Sequence, residues 1–482
     1  MPKRSASPPS SPAKRARKAD PPIAAVKLED EVYGKKEWKD WPAPRTQMQE
    51  AKEWIRECVE GKHRVILVPD KDADGLSSSL ILSLALRALD HPPSLISVYH
   101  LPRGSNIHSD VAQQDMLATF PSAGGPSRAI VLDQGSRPGP PLLPLEKSKV
   151  LIIDHHLSTT FPKGSQVLSA CHSLPVATTS LLTYLLCCEL VPSLASPDHP
   201  AGMAALLGVY GDLGSSKPTF GSAPWPARLA PIEKKLTKSA LGKAVALLNA
   251  PRRTPQFNVA DAYEAIEEAA REGGGGVKGI LGNVKLLESK ERTSAETTRW
   301  QGAPPVFSKD GKIAVIKVDS GYQIHPVIAT RWCGTLRKAK TLVCVMCANT
   351  GYTPGFVHFS CRAPRRSSDD PASSDPVDLI AFLRSLSPLC DALSPGWSTR
   401  VGEDFARGHR EATGGIIPKE EFETLMQAVE LGVKKESASP AKKGGAKVID
   451  PGQKTTLDGF FKKAGDGKKK TASGENGTKE GA

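Results

Sequence analysis

The chain has 482 residues, of which 24% are charged, and a formal net charge of +13 at pH 7. This length is sufficient for two domains with tails, and no apolar stretch approaches the roughly 18 residues that a membrane-spanning helix needs. The first residues are charged and rich in proline and serine, so we expect a soluble protein that is neither secreted nor bound to a membrane. Nine cysteines, an odd number without the spacing of a disulfide framework, are typical of a reducing compartment.

Residues 1–44 are rich in proline, serine, alanine and lysine, a composition that cannot bury a core and therefore predicts a disordered basic tail. This tail contains two basic clusters, Lys3-Arg4 and the Lys/Arg-rich residues 14–18. Together the clusters resemble a bipartite nuclear localisation signal, so we expect the protein in the nucleus, with a nuclear import receptor as a partner. The alternative interpretation is a solvated basic arm.

The next part of the chain predicts a helix followed by an α/β domain. Apolar residues such as Met48, Trp54 and Ile55 have helical spacing, which predicts a helix over residues 46–60. Residues 61–215 then alternate between apolar runs typical of strands and segments typical of helices. This alternation is the pattern of an α/β domain built on a parallel sheet.

Four apolar runs in this region are each followed by carboxylate or imidazole side chains. The runs are Val65–Val68, Ala129–Leu132, Val150–Ile153 and Ala204–Val209. The side chains that follow them are Asp70, Asp72, Asp74, Asp133, Asp154, His155, His156 and Asp212. Apolar runs without polar alternation predict parallel strands buried on both faces, and ligands in open parallel sheets lie beyond the carboxyl ends of the strands. We therefore expect these side chains to converge at one edge of one sheet.

The chemistry of this set favours divalent metal ions. Carboxylates and imidazoles without a thiolate suit Mn²⁺ or Mg²⁺ better than structural zinc. So many acids cannot all ionise close together without cations, and two ions about 3.5–4 Å apart would also clamp a phosphoryl group during its displacement. The set thus predicts a two-metal phosphoesterase. The alternative is that each acid is a solvated loop residue or a helix N-cap before Leu76.

Four motifs in this region also carry a family resemblance. The motifs are Asp72-Ala73-Asp74-Gly75, Asp133-Gln134-Gly135, Asp154-His155-His156 and Gly211-Asp212. In this order they resemble the DHH phosphoesterase superfamily and its RecJ-like nuclease branch, and residues 408–415 resemble the glycine-histidine motif of the DHH-associated C-terminal domain. The resemblance implies an α/β fold with a parallel-sheet DHH catalytic domain, a smaller α/β C-terminal domain and disordered basic tails.

The resemblance implies a role for each matching residue. The metal ligands would be Asp70, Asp72, Asp74, Asp133, His155 and Asp212. Asp72, with Asp70 as a further candidate, would hold the first ion, and Asp133 would bridge both ions. Asp74, His155 and Asp212 would hold the second ion.

The remaining implied roles concern catalysis and substrate binding. His156 would face the substrate phosphate, and Asp154 would orient His155. The substrate-binding residues would be Arg362, Gly408, His409, Gly414 and Gly415, in a channel between the two domains. Arg407 stands where many relatives have a first glycine, which leaves the substrate preference open, and Arg362 has the alternative interpretation of an ordinary surface arginine.

The sequence from about residue 200 to residue 431 predicts helices followed by a second domain. The predicted parts of the chain are a basic tail (1–44), a DHH catalytic domain (45–250), a helical connector (251–302), a DHH-associated substrate-binding domain (303–431) and a second tail (432–482). Residues 200–250 are predicted to be largely helical, and the connector helix Asp261–Arg271 is expected to end at four consecutive glycines. In the second domain the predicted strands are Lys312–Val318, 341–347 and 355–361, and the predicted helices are Pro376–Leu386 and Lys419–Leu431.

The pair Cys344 and Cys347 lies in a predicted strand, where residues three apart point to opposite faces and cannot share a metal.

The C-terminal residues predict a second disordered tail with one apolar island. Residues 434–482 carry a net charge of +6 and residues 1–20 carry +5, so the residues between these two segments contribute a net charge of only about +2. Within this tail Leu457, Phe460 and Phe461 need a partner to cover them. Their spacing resembles the PIP box that binds the PCNA sliding clamp, with Lys454 where the consensus has glutamine. The alternative is an incidental apolar patch.

Three functions are consistent with these patterns. The first is a nuclear, metal-dependent, single-strand-specific exonuclease of replication or repair, for which the clamp motif favours DNA over RNA as the nucleic acid. The second keeps two-metal hydrolysis but acts on short oligonucleotides, nucleotides or polyphosphate. The third is a replication scaffold without catalysis. Polarity of digestion, the preferred metal and the oligomeric state are open at this stage.

Overall fold

The computed structural model describes residues 38–119, 127–146, 148–214, 218–336, 339–364, 377–402 and 405–433. All of these belong to the first of two compact units, Met1–Lys434, and the second unit, Lys435–Ala482, lies outside the described residues. The predicted nuclear localisation signal and the clamp-binding residues Leu457, Phe460 and Phe461 therefore also lie outside the described residues. None of the described helices combines the length and the hydropathy that crossing a bilayer requires.

The first sheet, over the residues that the structure describes, contains five strands, all paired in parallel. The strands are β1 (Val65–Pro69), β2 (Ile96–Val98), β3 (Ser127–Leu132), β4 (Ser148–Asp154) and β5 (Ser165–Ser169). Their order across the sheet is β2-β1-β3-β4-β5. Successive residues of β1 enter two different apolar clusters, Val65 and Leu67 on one face and Ile66 and Val68 on the other. Cover on both faces explains why these strands are continuously apolar.

Ten helices of the described chain accompany this sheet and the connector that follows it. They are α1 (Arg45–Glu60), α2 (Ala73–Ala88), α3 (Asp110–Ala118), α4 (Thr179–Leu190), α5 (Pro200–Asp212), α6 (Leu229–Leu236), α7 (Lys238–Leu248), α8 (Val259–Ala270), α9 (Val277–Gly282) and α10 (Val284–Trp300). Helix α1 confirms the prediction for residues 46–60, and α8 ends before the glycine run as expected. Short 3₁₀ turns occur at Pro93–Leu95, Pro192–Ala195 and Pro251–Arg253.

The expectation that Asp212 follows a strand was wrong, whereas the largely helical structure predicted for residues 200–250 is confirmed by α5, α6 and α7. The run Ala204–Val209 lies inside helix α5, and Asp212 is the last residue of that helix. The helix is apolar on all sides because α2, α4 and α7 pack around it and bury every residue from Ala201 to Tyr210. A fully buried helix lacks the polar stripe that would have identified its period.

The second sheet is mixed and has six strands within the described ranges. They are β6 (Val306–Phe307), β7 (Ile313–Val318), β8 (Cys344–Thr353), β9 (Phe356–Arg362), β10 (Arg407–His409) and β11 (Ala412–Pro418). Their order is β10-β11-β9-β8-β7-β6, and of these pairings only that of β7 with β8 is parallel. The helices described in this part are α11 (His325–Thr335), α12 (Leu379–Arg384), α13 (Ser387–Leu393), α14 (Trp397–Val401) and α15 (Lys419–Ala428).

The predicted elements of this second part are confirmed with shifted ends. The strand expected at 341–347 begins at Cys344 and continues to Thr353, and the helix expected at Pro376–Leu386 spans Leu379–Arg384. Cys344 and Cys347 enter apolar clusters on opposite faces of the sheet, as strand geometry requires. The fold is therefore α/β throughout, with a parallel-sheet domain followed by a smaller mixed-sheet domain.

We call residues 38–302 the first lobe and residues 303–433 the second lobe. An arginine of the first lobe, Arg103, joins them. Its guanidinium donates to the carbonyl of Pro255 at 3.0 Å, to that of Gly321 at 2.7 Å and to that of Tyr352, and it lies 4.2 Å from the centre of the Tyr352 ring. Because Gly321 and Tyr352 belong to the second lobe, these contacts connect the two lobes.

Candidate metal centre

The loop after β1 brings the first acids together. Asp72 is the N-cap of α2, and its Oδ1 accepts hydrogen bonds from the backbone N–H groups of Asp74 at 3.1 Å and Gly75 at 3.3 Å. The loop folds so tightly that a Cβ at Gly75 would lie 2.5 Å from the carbonyl oxygen of Asp70. A side chain at this position would force the loop open. Asp72 is therefore a helix N-cap, as the alternative interpretation of the sequence proposed. The same loop conformation also places its side chain beside the other acids.

A cation near this loop affects the ionisation of Asp72. Burial alone would raise its pKa, but Arg252, with Nη2 3.8 Å from Asp72 Oδ2, and the hydrogen bond from Gly75 lower that pKa below its usual range. Burial raises the pKa of the neighbouring Asp70. The two acids of one loop therefore differ in how readily they ionise.

Asp74 is completely buried against the start of helix α4. Its carboxylate accepts hydrogen bonds from the backbone N–H of Thr179 at 2.8 Å and of Ser180 at 3.0 Å. Helix α5 approaches so closely that a Cβ at Gly208 would lie 2.4 Å from Asp74 Oδ1. Burial, followed by the nearby charge of Asp212, raises the pKa of Asp74 to about 7. The N-terminus of helix α4 therefore offsets only part of the free-energy cost of ionising the buried Asp74 carboxyl.

Asp133 follows β3 directly and lies at the centre of the acids. Its backbone has φ 64°, in the left-handed region that residues other than glycine seldom adopt. Thr179 Oγ1 donates to Asp133 Oδ1 at 2.9 Å, and this contact orients the buried carboxylate. Burial, then Asp74 and Asp72, raises the pKa of Asp133 well above its usual value.

His155 completes this group from the end of β4. Its Nε2 lies 3.1 Å from Asp212 Oδ2 and 3.3 Å from Asp133 Oδ1. Burial opposes a charge on this ring, but the hydrogen bond and charge of Asp212 raise the pKa of His155 to about 9. Asp212 thus reaches the sheet edge from the C-terminal end of helix α5.

Asp154 contacts a different imidazole from the one expected. We predicted that it would orient His155, whereas its Oδ1 lies 2.8 Å from Nδ1 of the His156 ring. The same oxygen accepts the backbone N–H of His155 at 2.7 Å, and the turn of the chain after β4 carries the next ring back onto it. Burial opposes the charge on His156, but Asp154 raises the pKa of this ring to about 9.

Three groups of these side chains, all within the described residues, have the spacing of metal ligands. They are Asp70, Asp72 and Asp133; Asp74, Asp133, His155 and Asp212; and Asp133, His155 and His156. Within each group the candidate ligand atoms lie within 4.8 Å of one another. Asp133 is common to all three groups, which is the position that a bridging ligand would have.

The donor set fits divalent cations. It consists of carboxylate oxygens and imidazole nitrogens, the ligands that Mn²⁺ and Mg²⁺ prefer to thiolates. Burial and the charges of neighbouring acids together raise the pKa values of Asp74 and Asp133, so these carboxylates oppose one another's ionisation. A cation between them would remove that opposition, so the residues present suit the ions that the sequence predicted.

A cleft with a volume of about 430 Å³ opens beside these residues. From the first lobe it is lined by Asp70, Asn106, Ile107, His108, Asp133, Gln134, Gly135, Ser136, Arg137, Pro138, Asp154, His156, Leu157 and Ser158. From the second lobe it is lined by Ile380, Arg384, Ala406, Arg407 and Gly408. Acids and His156 thus share one cleft with several cationic side chains, which is the combination that a phosphate ester bound to metal ions would need.

The predicted substrate-binding residues are only partly brought to this cleft. Gly408 lines it, and the β10–β11 pairing places Gly414 opposite Arg407. Gly415 continues β11, and His409 ends β10. Arg362 ends β9, where its guanidinium donates to Ser360 Oγ at 2.9 Å and to the Cys361 carbonyl at 2.8 Å. It is not among the described residues that line the cleft.

Several residues that position the site were missed from the sequence. Thr179 and Ser180 hold two of the acids, and Arg252 lies beside Asp72 while donating to Gln323 of the second lobe at 3.2 Å. Thr179 and Ser180 begin an apolar helix after Thr178, which is a recognisable N-cap pattern. Arg252 had no comparable local signal.

Comparisons with known proteins give one family model and several solved structures that are similar to this chain. Residues 64–207 match the model of the DHH family, N-terminal domain. Among solved structures, RecJ from Thermus thermophilus in complex with Mn²⁺ is similar at 17% identity and a TM-score of 0.55, over 85% of this chain and 61% of that one. The chain therefore spans less than two thirds of that RecJ. No curated protein sequence gave a match.

Two further solved structures are similar. The DHH domain of a protein assigned to a family of ribosomal proteins has 14% identity and a TM-score of 0.54, over 81% of this chain and 92% of that one. A manganese-bound exonuclease RecJ has 16% identity over 80% and 93%, but its TM-score of 0.49 is too low to support an argument. Residues 64–207 are thus similar to the DHH family's N-terminal domain, within a fold similar to that of RecJ.

Proposed function

We propose that this protein is a metal-dependent phosphodiesterase, and specifically a single-strand-specific DNA exonuclease of nuclear replication or repair. The observation that carries the proposal is the position of Asp133, which belongs to all three groups of candidate ligands and also lines the cleft. A carboxylate shared between two cation sites is what two-metal phosphoryl chemistry requires. The DHH family match and the Mn²⁺ complex of the similar RecJ support the choice of reaction and metal.

Two groups of residues would hold the ions. Asp72 and Asp70 would hold the first, and Asp74, His155 and Asp212 the second. Two bound divalent ions would neutralise the charge of the phosphate and activate a water for attack. Thr179 orients the carboxylate of Asp133, the ligand that both ions would share, and the buried backbone amides of helix α4 hold the carboxylate of Asp74. The two acids would therefore need little rearrangement during the reaction.

The remaining residues would act on the substrate. His156, held through Nδ1 by Asp154, would donate from Nε2 to a phosphate oxygen in the cleft. Gly408 would bring its backbone close to the same ligand. Its φ of 115° favours glycine, which has no side chain to keep the ligand away from the backbone. The proposed roles of Arg362, His409, Gly414 and Gly415 would extend this contact along the second lobe.

The choice of DNA and of the nucleus rests on the tails. The basic clusters of residues 1–20 would direct import, and Leu457, Phe460 and Phe461 would tether the enzyme to PCNA. A tethered exonuclease would act where single strands are exposed during replication or repair. Contacts to the strand would be made mainly through phosphates, because aromatic residues make up only 5% of the chain.

A second candidate substrate is a short oligonucleotide, a nucleotide or polyphosphate. The cleft volume of about 430 Å³ lies within the range of sites that enclose a single small ligand, and this favours the alternative. End-labelled single strands of DNA and RNA, labelled separately at each end, compared with dinucleotides and pyrophosphate in Mn²⁺ will distinguish the two. Faster hydrolysis of dinucleotides than of long strands would contradict the exonuclease proposal.

Metal binding itself is expected to stabilise the protein. At a Mn²⁺ concentration about 100 times the dissociation constant, linkage predicts about 2.7 kcal/mol of added stability, which raises the melting temperature by roughly 3–5 °C. Differential scanning fluorimetry with EDTA and with Mn²⁺ measures the shift. The variant Asp212→Asn should show a smaller shift, and equal melting temperatures in EDTA and Mn²⁺ would contradict the metal site.

A further inference from the structure

A second contact between the lobes lies directly at the loop that carries the first metal ligands. Asn249 follows helix α7, and its side-chain Oδ1 accepts hydrogen bonds from the backbone N–H of Ala73 at 3.3 Å and from Nε of Arg252 at 3.1 Å. Ala73 is the first residue of α2 and follows Asp72 directly. The amide of Asn249 therefore attaches the 3₁₀ turn at Pro251–Arg253 to the loop that carries Asp72.

The guanidinium of Arg252 spans from this loop to the second lobe. Its Nη1 donates to Oε1 of Gln323 at 3.2 Å, and its Nη2 lies 3.8 Å from Oδ2 of Asp72. Gln323 is also held through its backbone, since its N–H donates to the carbonyl of Arg253 at 2.8 Å. Because Gln323 is attached at two points, the second lobe presents a fixed acceptor to Arg252 beside the metal centre.

The separation between Arg252 and Asp72 is unusual for these two groups. Oδ1 of Asp72 accepts two backbone amides as the N-cap of α2, so Oδ2 is the oxygen more readily available to a cation. At 3.8 Å the Arg252 Nη2 is too far from Oδ2 for a hydrogen bond, whereas guanidinium and carboxylate groups favour paired hydrogen bonds of about 2.8 Å. Other contacts must therefore keep the guanidinium back. The bond to Asn249 holds only Nε, and the bond to Gln323 holds the far end of the group.

We propose that Gln323 of the second lobe holds Arg252 away from Asp72 and thereby keeps the first metal site open. Arg252 is a positioning residue in this arrangement, because it acts on the ion through Asp72 and needs no contact with the substrate. When the side chain of Gln323 is lost, the guanidinium pairs with Oδ2 of Asp72 and competes with the ion for that oxygen. The affinity for the first ion thus depends on contact between the lobes. The inference rests on the proposed function, since it needs a divalent ion at the group of Asp70, Asp72 and Asp133.

The two ends of this contact should have opposite effects on the affinity for Mn²⁺. Arg252→Gln removes a positive charge beside Asp72, and because neither side chain is more than 23% exposed, the repulsion that it relieves is only partly screened. This variant should bind the first ion roughly 10-fold more tightly, and Gln323→Ala should bind it roughly 10-fold more weakly. A change of this size at one of two ions leaves most of the stabilisation by Mn²⁺ in place. A general loosening of the structure would instead weaken binding in both variants.

Isothermal titration calorimetry with Mn²⁺ measures these affinities without any substrate. The background is Asp212→Asn, in which the second site has lost a ligand and the first keeps all three. The double variant Arg252→Gln with Gln323→Ala should bind Mn²⁺ as tightly as Arg252→Gln alone, because Gln323 acts through the guanidinium. Gln301→Ala is the matched control and should leave the affinity unchanged. Gln301 of the first lobe accepts a hydrogen bond from Arg331 of the second lobe at an exposed position.

A conservative replacement separates the effect of the contact from damage to the fold. Gln323→Glu keeps an acceptor for Arg252 and should bind Mn²⁺ at least as tightly as the Asp212→Asn parent, and melting temperatures in EDTA identify any variant that fails to fold. The inference is overturned if Gln323→Ala binds Mn²⁺ as tightly as the parent. It is also overturned if Gln323→Ala weakens binding equally with arginine and with glutamine at position 252.

Failure of the proposed function gives a different result. A wild-type protein that binds Mn²⁺, with the expected responses in the variants, but hydrolyses no phosphodiester contradicts the proposed function and supports this inference. A wild-type protein that binds no Mn²⁺ contradicts both.

Discussion

Replacement of Asp133 by asparagine is expected to lower kcat/KM for phosphodiester hydrolysis by roughly a thousandfold or more. Asp133 is common to all three groups of candidate ligands among the described residues, so its loss would weaken both cation sites together. Losing several kcal/mol of transition-state stabilisation corresponds to a factor of this size. Hydrolysis of a labelled single strand in Mn²⁺ is the measurement, with the melting temperature in EDTA recorded for each protein.

The same variant should fold without difficulty. Asparagine keeps the shape of the side chain and tolerates the left-handed backbone at φ 64°, and it removes a buried charge surrounded by other acids. The melting temperature in EDTA should therefore equal or exceed that of the wild type, while the Mn²⁺-dependent increase shrinks. Asp198→Asn, at an exposed carboxylate of the first lobe, is the matched control and should change neither quantity. Full activity in Asp133→Asn would contradict the role of Asp133 as a ligand shared by two ions, and absence of hydrolysis in the wild type as well would favour a scaffold without catalysis.

Much of this centre could be predicted from local pattern. The runs Val65–Val68, Ala129–Leu132 and Val150–Ile153 became strands whose carboxyl ends meet at one edge, because a parallel sheet covered on both faces selects continuous apolar sequence. The acids behind these runs were therefore expected to lie together. Chain order and strand direction were sufficient for that prediction.

Asp212 and Asp154 show where local pattern fails. The run before Asp212 is equally compatible with a buried strand and a buried helix, and the choice depends on packing against α2, α4 and α7, which are far apart in sequence. The imidazole that Asp154 contacts is set by a turn of two residues, and spacing alone does not define that turn. In both cases the side chain lies at the expected edge of the sheet, but its structural setting differs from the one predicted.

The residues that join the lobes had no local signal at all. Arg103 and Arg252 are two among 64 lysines and arginines, and nothing in their neighbours distinguishes them. Their partners lie up to 249 positions away in the chain, as with the Tyr352 carbonyl for Arg103. Such contacts follow from how two finished lobes meet, so a pattern within one short segment does not contain them.

The variant Arg103→Ala is expected to destabilise the protein by about 3–5 kcal/mol. The guanidinium donates to three carbonyls from different segments and lies over the Tyr352 ring, and each hydrogen bond to a charged group contributes about 1.5–3 kcal/mol. Removal also leaves those carbonyls without that donor. Urea unfolding measured by tryptophan fluorescence should show an earlier midpoint for the second lobe.

Two comparisons make this result specific to the junction of the lobes. Arg87→Ala removes an arginine whose salt bridge to Glu267 is partly exposed, and should cost no more than about 1 kcal/mol. Arg103→Lys should not rescue stability, because a single ammonium cannot reach three carbonyls in fixed directions. A cost for Arg103→Ala as small as that for Arg87→Ala would contradict the role of Arg103.

The rise in melting temperature caused by Mn²⁺ should distinguish a loss of contact between the lobes from a loss of metal binding. The candidate ligands among the described residues all belong to the first lobe, so Arg103→Ala should keep most of the rise in melting temperature caused by Mn²⁺. The cleft, in contrast, needs Arg384, Arg407 and Gly408 from the second lobe, so hydrolysis of a nucleotide strand should fall although the ions still bind. Asp133→Asn should lose both responses. Loss of the Mn²⁺ response in Arg103→Ala would mean that the metal centre itself depends on contact with the second lobe.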